Sequence, residues 1–566
     1  MNRTLVLLLA LAPAPGGVVA QSAMRDTVEL YSADRRVLGR RYAVEYDAVR
    51  RQRYQAFHRE WLQRLDRAPY DRFGVEDRID WQLMHTTIQR QLARFELERR
   101  RAAEMDRFVP FADTIGGLVE SRRKLETVRP RETSLTLAAL TRQIDTLRTR
   151  LERERDRDTA RATRIIALRS VSLLESLRQS LRNWYQYYRG YDPAFTWWNA
   201  DPWKRADSAL VRYTRTLRRQ VVGQREGEDE PILGDPIGVE ALRAELAFEF
   251  IPYGPEDLLR IAEREFAWCE AEMLKASRAM GQGDNWKAAL ETVKNSYVEP
   301  GRQPDLIRDL ALEAIQFVES RGLVTVPPLA KEVWRMEMMS PERQKVSPFF
   351  LGGEVILVSY PTDEMTAEDK LMSLRGNNPH FSRATVHHEL IPGHHLQFFM
   401  TQRYMSHRDE FSTPFWTEGW ALYWEMRLWD LGFPRGPEDR VGMLFWRMHR
   451  AARIIFSLRF HMGSMTPQQA IDFLVDRVGH ERANATAEVR RSFNGDYPPL
   501  YQLAYMIGGL QFRALHRELV TSGRMTERAF HDAVLQGGNM PVEMVRARLL
   551  NLELPRNYRA SWRFDN

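Results

Sequence analysis

The chain has 566 residues, 43% hydrophobic and 28% charged, with Gly 32 and Pro 28, which excludes a disordered tail, a collagen-like repeat and a low-complexity protein. Its single cysteine, Cys269, excludes a disulfide framework, a thiolate zinc cluster and a two-cysteine redox motif. Lys+Arg 83 against Asp+Glu 76 leaves a net charge of +7, interleaved with acids rather than gathered in a patch, so no nucleic-acid partner is expected.

In chain order, Met1-Asn2-Arg3, the apolar run Leu5 to Leu11 and the small residues Val18-Val19-Ala20 read as a signal peptide over residues 1–20. That predicts export. No later stretch reaches the roughly 18 apolar residues of a membrane span. From about 40 to 220 the sequence is Arg/Glu/Leu-rich and helix-forming. Between Leu135 and Tyr188, Leu140, Ile144, Leu147 and Leu151, then Ile165, Leu168, Leu173 and Leu177, recur mostly at three- and four-residue steps. The run Glu152 to Asp158 alternates in sign and reads as a solvated helix face with intrahelical ion pairs. The polar segment Gly223 to Pro231 is the linker candidate. It divides a helical N-terminal lobe, 21–222, from a metal-binding catalytic lobe, 223–566, the two forming one continuous unit.

Gly254-Pro255-Glu256-Asp257 starts a helix that runs to about Met280, with proline in its first turn and acids at its positive end. Thr466-Pro467-Gln468-Gln469 opens another. The one strand expected is Glu354 to Tyr360, bounded by Gly352-Gly353 and Pro361. There is no repeat of 20 to 50 residues, which argues against a solenoid. The fold class is predominantly α.

The chemistry concentrates in His387-His388-Glu389-Leu390-Ile391-Pro392-Gly393-His394-His395, where four of the 13 histidines fall within one short stretch beside a carboxylate. Zinc peptidases present two histidines one helical turn apart, with a glutamate after the first as general base. Here that one-turn position is Pro392. On an unbroken helix His388 and His394 would stand about 600° apart in rotation and roughly 9 Å in rise. Proline ends such a helix, because it has no N–H for the carbonyl of His388 and its ring clashes there. Gly393 accepts almost any backbone conformation. A Pro-Gly bulge therefore returns His394 to the metal, with His388 as the other imidazole ligand and Glu389 as base. The rival, His395, is nearly in phase with His388 but lies about 10.5 Å further along a regular helix. His387 and His395 remain candidates behind the ligands or facing the substrate. A third ligand is expected in Glu418, amid Phe415, Trp416, Trp420 and Leu422, because a buried carboxylate needs a partner. Gly419 and Ala421 would let its helix approach the metal helix. Glu425, two turns on, could orient a ligand imidazole.

With these residues in place, His388-Glu389-x-x-Pro392-Gly393-His394-His395-Leu396-Gln397 and Glu418-Gly419-Trp420-Ala421-Leu422-Tyr423-x-Glu425 resemble the bacterial family called domain of unknown function 885. Arg450-x-x-Arg453 with His461, the segment Met465 to Ile471, and Tyr505-x-x-Gly508 are similar to further motifs of that family. The likeness runs from about Pro252 onward and, more loosely, into the N-terminal half. Two places depart: Ser457 stands where the family usually has Asp, and Pro499-Leu500-Tyr501-Gln502 where it has Pro-Gly-Gln-Ala. The resemblance implies a zincin-like, multi-helix peptidase fold with a deep cleft and a small β element near the metal helix.

The expected activity is zinc-dependent hydrolysis of a peptide or small amide in the periplasm or outside a bacterial cell. One Zn2+ would be held by His388, His394 and Glu418, and Glu389 would move the proton. The oxyanion donor is expected in Tyr505 first and His461 second. Arg453 pairs either with a substrate carboxylate or with a structural acid. The strand could hold an extended peptide by edge pairing, and the N-terminal half could wall the cleft against long substrates. The alternatives are a metal-containing binding or scaffold protein, or a hydrolase of a non-peptide amide or ester.

Overall fold

A computed structural model describes residues 23–44, 47–153, 160–344, 349, 352–494 and 497–565. The signal-peptide reading of residues 1–20 lies outside them. Twenty-three α-helices, five shorter helical turns and two four-residue strands make up the described elements. The predominantly α class is what the structure has.

The leucine periodicity resolves into two helices. In Pro130–Arg153, Leu137, Leu140, Ile144 and Leu151 are buried. In Arg161–Tyr188, the corresponding stripe includes Leu173, Leu177 and Leu181. Arg148 pairs with Glu152 at 2.8 Å one turn apart, as the charge pattern predicts, but the first helix ends at Arg153. The remainder of the run, 154–158, lies outside the described residues. The helix expected from Pro255 spans Pro255–Ala279, and Thr466 caps Pro467–Phe473 by accepting from the Gln469 N–H.

The buried apolar residues gather into three cores. Residues from Met105 to Leu233, joined by Val44, build a core of their own, whereas most buried residues from Met24 to Ile88 share a core with Phe250 and residues 307–554. The first helices thus belong to the body that carries the candidate site. One buried ion network fastens them there. Asp80, on the helix Val75–Met105, lies 2.7 Å from Arg408 Nε and 2.9 Å from His407 Nε2, and Arg408 also reaches Glu76 at 2.7 Å. Burial alone would raise the Asp80 pKa, but Arg408 and His407 outweigh it and hold the carboxyl below its ordinary value. Its contribution is therefore present above the ordinary carboxylate pKa and is lost as pH falls through the lower folded value. Asp80→Ala should lower the urea-unfolding free energy by about 2–4 kcal/mol, because it leaves Arg408 Nε and His407 Nε2 without their buried acceptor while Glu76 still pairs with Arg408. A loss under about 1 kcal/mol would contradict this.

The segment Gly223 to Pro231 is coil, yet it does not hang free. Arg218 reaches Glu230 at 3.4 Å and Asn494 donates to Glu230 at 3.3 Å. The predicted strand is shorter than expected, Val355–Val358, and pairs in parallel with Arg335–Met338, a strand the sequence reading did not anticipate.

Four helices frame the site. The histidine helix Pro379–Glu389 begins where Asn378 accepts from the His380 and Phe381 N–H groups, with proline in the first turn. The glutamate helix Pro414–Asp430 is capped likewise by Thr413. The arginine helix is Pro437–His461 and the tyrosine helix Tyr501–His516. The glutamate and tyrosine helices touch backbone to backbone: a Cβ on Gly419 would fall 2.6 Å from Gly508 Cα, and one on Gly508 would overlap the Phe415 carbonyl. Gly419 therefore serves the approach of the tyrosine helix rather than of the metal helix. The histidine and glutamate helices each contribute to both large cores, through Val386 and Trp420 on one side and Phe381 and Leu422 on the other. The site lies on the seam between those cores.

Candidate metal centre

The histidine helix stops at Glu389 and a new helix, His394–Thr401, starts at His394. Between them the Gly393 N–H donates to the His387 carbonyl at 2.9 Å, and the His395 N–H to Leu390 at 3.0 Å. Gly393 passes so close to the His388 carbonyl that a Cβ there would overlap it, so only glycine fits. Trp420 Nε1 donates to the Pro392 carbonyl at 2.9 Å and fastens the break to the glutamate helix. The result is that the His388 and His394 rings stand 4.8 Å apart at near right angles.

Glu418 completes the group. Its Oε2 lies 3.6 Å from His388 Nε2 and 3.3 Å from His394 Nε2, and one ligand atom from each residue falls within 4.8 Å of the others. Tetrahedral ligands around zinc at ~2 Å stand roughly 3.3 Å apart. All three residues are buried, and Glu418 Oε2 has no hydrogen-bond donor among the described residues. A buried carboxylate oxygen aimed at two imidazole nitrogens is a donor set that suits a divalent cation, and His388, His394 and Glu418 can hold one metal ion.

The surrounding residues orient these ligands. His388 Nδ1 lies 2.7 Å from Glu425 Oε1, which turns Nε2 toward Glu418. His394 Nδ1 lies 3.4 Å from Gln397 Oε1, and Gln397 is itself held by donating to the Trp416 carbonyl at 3.2 Å. Burial opposes charge on the His388 ring, but Glu418 and Glu425 outweigh it and raise its pKa to about 9. Burial would raise Glu418, yet His394 and His388 hold it well below the usual carboxylate range.

A cavity of about 360 Å³ opens onto this group. Glu389 lines it, with Oε2 accepting from the Gly352 N–H at 2.7 Å. A Cβ on Gly352 would overlap the Glu389 backbone and Cβ, so glycine is required for that contact. Tyr505 and Arg453 line the cavity too. Tyr505 stacks 6.1 Å from the His388 ring, and burial followed by the Glu418 charge pushes its phenol above the ordinary value, so it stays protonated. Arg453 Nε lies 2.7 Å from Glu488, the structural pairing the sequence allowed for.

Three expected residues are not brought to the cavity. His387 is buried edge-on to Phe433 at 5.4 Å, and burial lowers its pKa to about 4. His395 places Nδ1 3.2 Å from the Gly353 carbonyl and Nε2 2.9 Å from the Ala330 carbonyl, which leaves neither nitrogen for a metal. His461 ends the arginine helix against Phe460, two turns beyond Arg453, and burial lowers its pKa to about 4.

Sequence reasoning missed Tyr501. Its hydroxyl donates to Glu418 Oε1, and its ring lies 4.2 Å from Tyr497 and parallel to it. The available signal was its position one helical turn before Tyr505, which puts both on one face. Tyr501→Phe should weaken zinc binding by about tenfold or more, since it frees the back of a ligand carboxylate. Competition with a chromophoric chelator measures this, and unchanged affinity would contradict it.

Residues 37–549 match the family described as bacterial protein of unknown function, DUF885. The chain belongs to that family. No curated protein matches it. Two solved structures are similar. One is "a putative lipoprotein of unknown function" from Shewanella oneidensis, with TM-score 0.68 and 18% identity, covering 94% of this chain and 100% of that one. The other is a "putative lipoprotein" from Colwellia psychrerythraea, with TM-score 0.58 and 15% identity, covering 94% of this chain and 98% of that one. At such identities the likeness speaks for the fold. No helix among the described residues is long and apolar enough to cross a membrane.

Proposed function

We propose that this DUF885 protein is a zinc-dependent hydrolase that cleaves peptide or related amide bonds in an exported compartment. The observation that carries the reading is Glu389, a carboxylate in the same cavity as the His388–His394–Glu418 group and held, among the described residues, through Oε2. Zinc, when bound there, supplies Lewis acidity to a carbonyl oxygen and acidifies water. The remaining work falls to the chain. Glu389 Oε2 is occupied by the Gly352 N–H, which leaves Oε1 to take a proton from water as its oxygen bonds to the carbonyl carbon. The same carboxyl returns that proton to the nitrogen as the C–N bond breaks, giving a carboxylic acid and an amine. Tyr505, protonated and beside His388, is the donor for the oxyanion, a role worth about 3 kcal/mol. His461, away from the cavity, is set aside for that role. The N-terminal segment and the lipoprotein descriptions of the two similar structures support export.

The test is incubation of a random peptide library with zinc-loaded and chelator-stripped protein, read by mass spectrometry. Cleavage by the loaded protein alone is expected. Zinc retained without any cleavage would move the reading to a metal-containing binding protein.

A further inference from the structure

Beside the metal group the cavity gathers three guanidiniums onto two carboxylates. Arg450, Arg453 and Arg491 all line it. Two buried carboxylates serve these three guanidiniums. Glu488 lies 2.7 Å from Arg453 Nε, pairs with Arg491 and accepts from Gln502 Nε2 at 2.9 Å. Glu425 sits 2.7 Å from His388 Nδ1 but 3.4 Å from Arg450 Nη2, so its closer partner is the imidazole. Arg450 is 5% and Arg453 2% exposed, yet Arg450 Nε, Arg453 Nη1 and Arg491 Nε have no acceptor among the described residues. Leaving buried guanidinium N–H groups unanswered is costly. Each arginine thus keeps one N–H group without an acceptor, and three guanidiniums lining one cavity suit a carboxylate.

Position narrows the ligand. The Arg450 and Arg453 guanidinium carbons lie 4.7 and 4.6 Å from the Tyr505 ring centre, and that ring is 6.1 Å from His388. One aromatic ring thus separates the arginines from the metal group. An extended chain advances about 3.3–3.6 Å per residue, so the gap takes one or two residues.

The geometry points to Arg450, Arg453 and Arg491 as a subsite for the free C-terminal carboxylate of the substrate, which makes the protein an exopeptidase that removes one or two residues from the C-terminus. This rests on the hydrolase reading above, and it names the substrate class. The three arginines are binding residues. Glu425 links Arg450 to His388 through the shared carboxylate.

The test has two arms. In the first, the zinc-loaded protein meets two peptide libraries that differ only in a free or an amidated C-terminus. Release of C-terminal residues from the free library, reduced on the order of tenfold to a hundredfold by amidation, is expected. Internal cleavage indifferent to amidation overturns the inference and leaves the hydrolase standing. Cleavage of amidated peptides only beside Asp or Glu overturns the C-terminal placement. In the second arm, calorimetry on zinc-loaded Glu389→Gln compares N-acetyl-Ala-Ala-Phe with its amide. Tighter binding of the acid by about tenfold or more is expected even if no peptide is ever cleaved. Equal binding, or binding of neither, overturns the inference. Arg450→Gln, whose loss leaves Glu425 with His388, should abolish the preference and raise KM more than it lowers kcat, with zinc content unchanged. An unaltered preference in Arg450→Gln and in Arg453→Lys assigns these side chains a purely structural role.

Discussion

His394→Ala abolishes stoichiometric zinc binding, while His395→Ala retains it. The two neighbours differ in what their nitrogens already do. His395 faces the Gly353 and Ala330 carbonyls with both, whereas His394 presents Nε2 to Glu418 at 3.3 Å and keeps Nδ1 toward Gln397. Removing an outer partner of a ligand typically costs about 10–100-fold in metal affinity, and loss of a ligand should exceed that range. His395→Ala instead removes two buried contacts that tie the loop before Val355 and the helix Pro328–Val333 to the site. Its effect should appear as a fall in stability of about 1–3 kcal/mol. Zinc analysis after dialysis, together with urea unfolding of both variants, measures the contrast. The reverse pattern, metal lost from His395→Ala and kept by His394→Ala, would place the ligand on the wrong histidine.

The second large effect is chemical. Glu389→Gln should lower peptide hydrolysis by about 10²–10⁴-fold while zinc content stays the same. The substitution is nearly isosteric, and the amide oxygen can still accept from the Gly352 N–H, so the loop at Gly352 keeps its place. What disappears is the carboxylate that takes and returns the proton. A steady-state rate within tenfold of wild type, with zinc retained, would remove Glu389 from the base role.

Much of the metal group was legible in the sequence because its signal is local. Pro392 and Gly393 forbid a continuous helix, and the break they impose is where His394 returns to His388. Glu418 and Glu425 were legible from an acid set among tryptophans and from two-turn spacing. The rest depended on tertiary neighbours that periodicity does not encode. Gly419 signals close packing but not its partner, which proved to be Gly508. His461 has the right chemistry on the wrong turn of the arginine helix. Tyr501 departs from the family pattern, and only the approach of the tyrosine helix shows that its hydroxyl meets Glu418. The strand Arg335–Met338 alternates polar and apolar over only four residues, too short a run to announce it, and it is held by pairing with Val355–Val358. The core division went unread for the same reason: an amphipathic helix declares an apolar face, not what covers it.

The most direct measurement of the central claim is anomalous scattering at the zinc edge from crystals of the zinc-loaded protein. One peak per chain is expected, bounded by His388 Nε2, His394 Nε2 and Glu418. A peak elsewhere, or none with the three side chains in place, would contradict it.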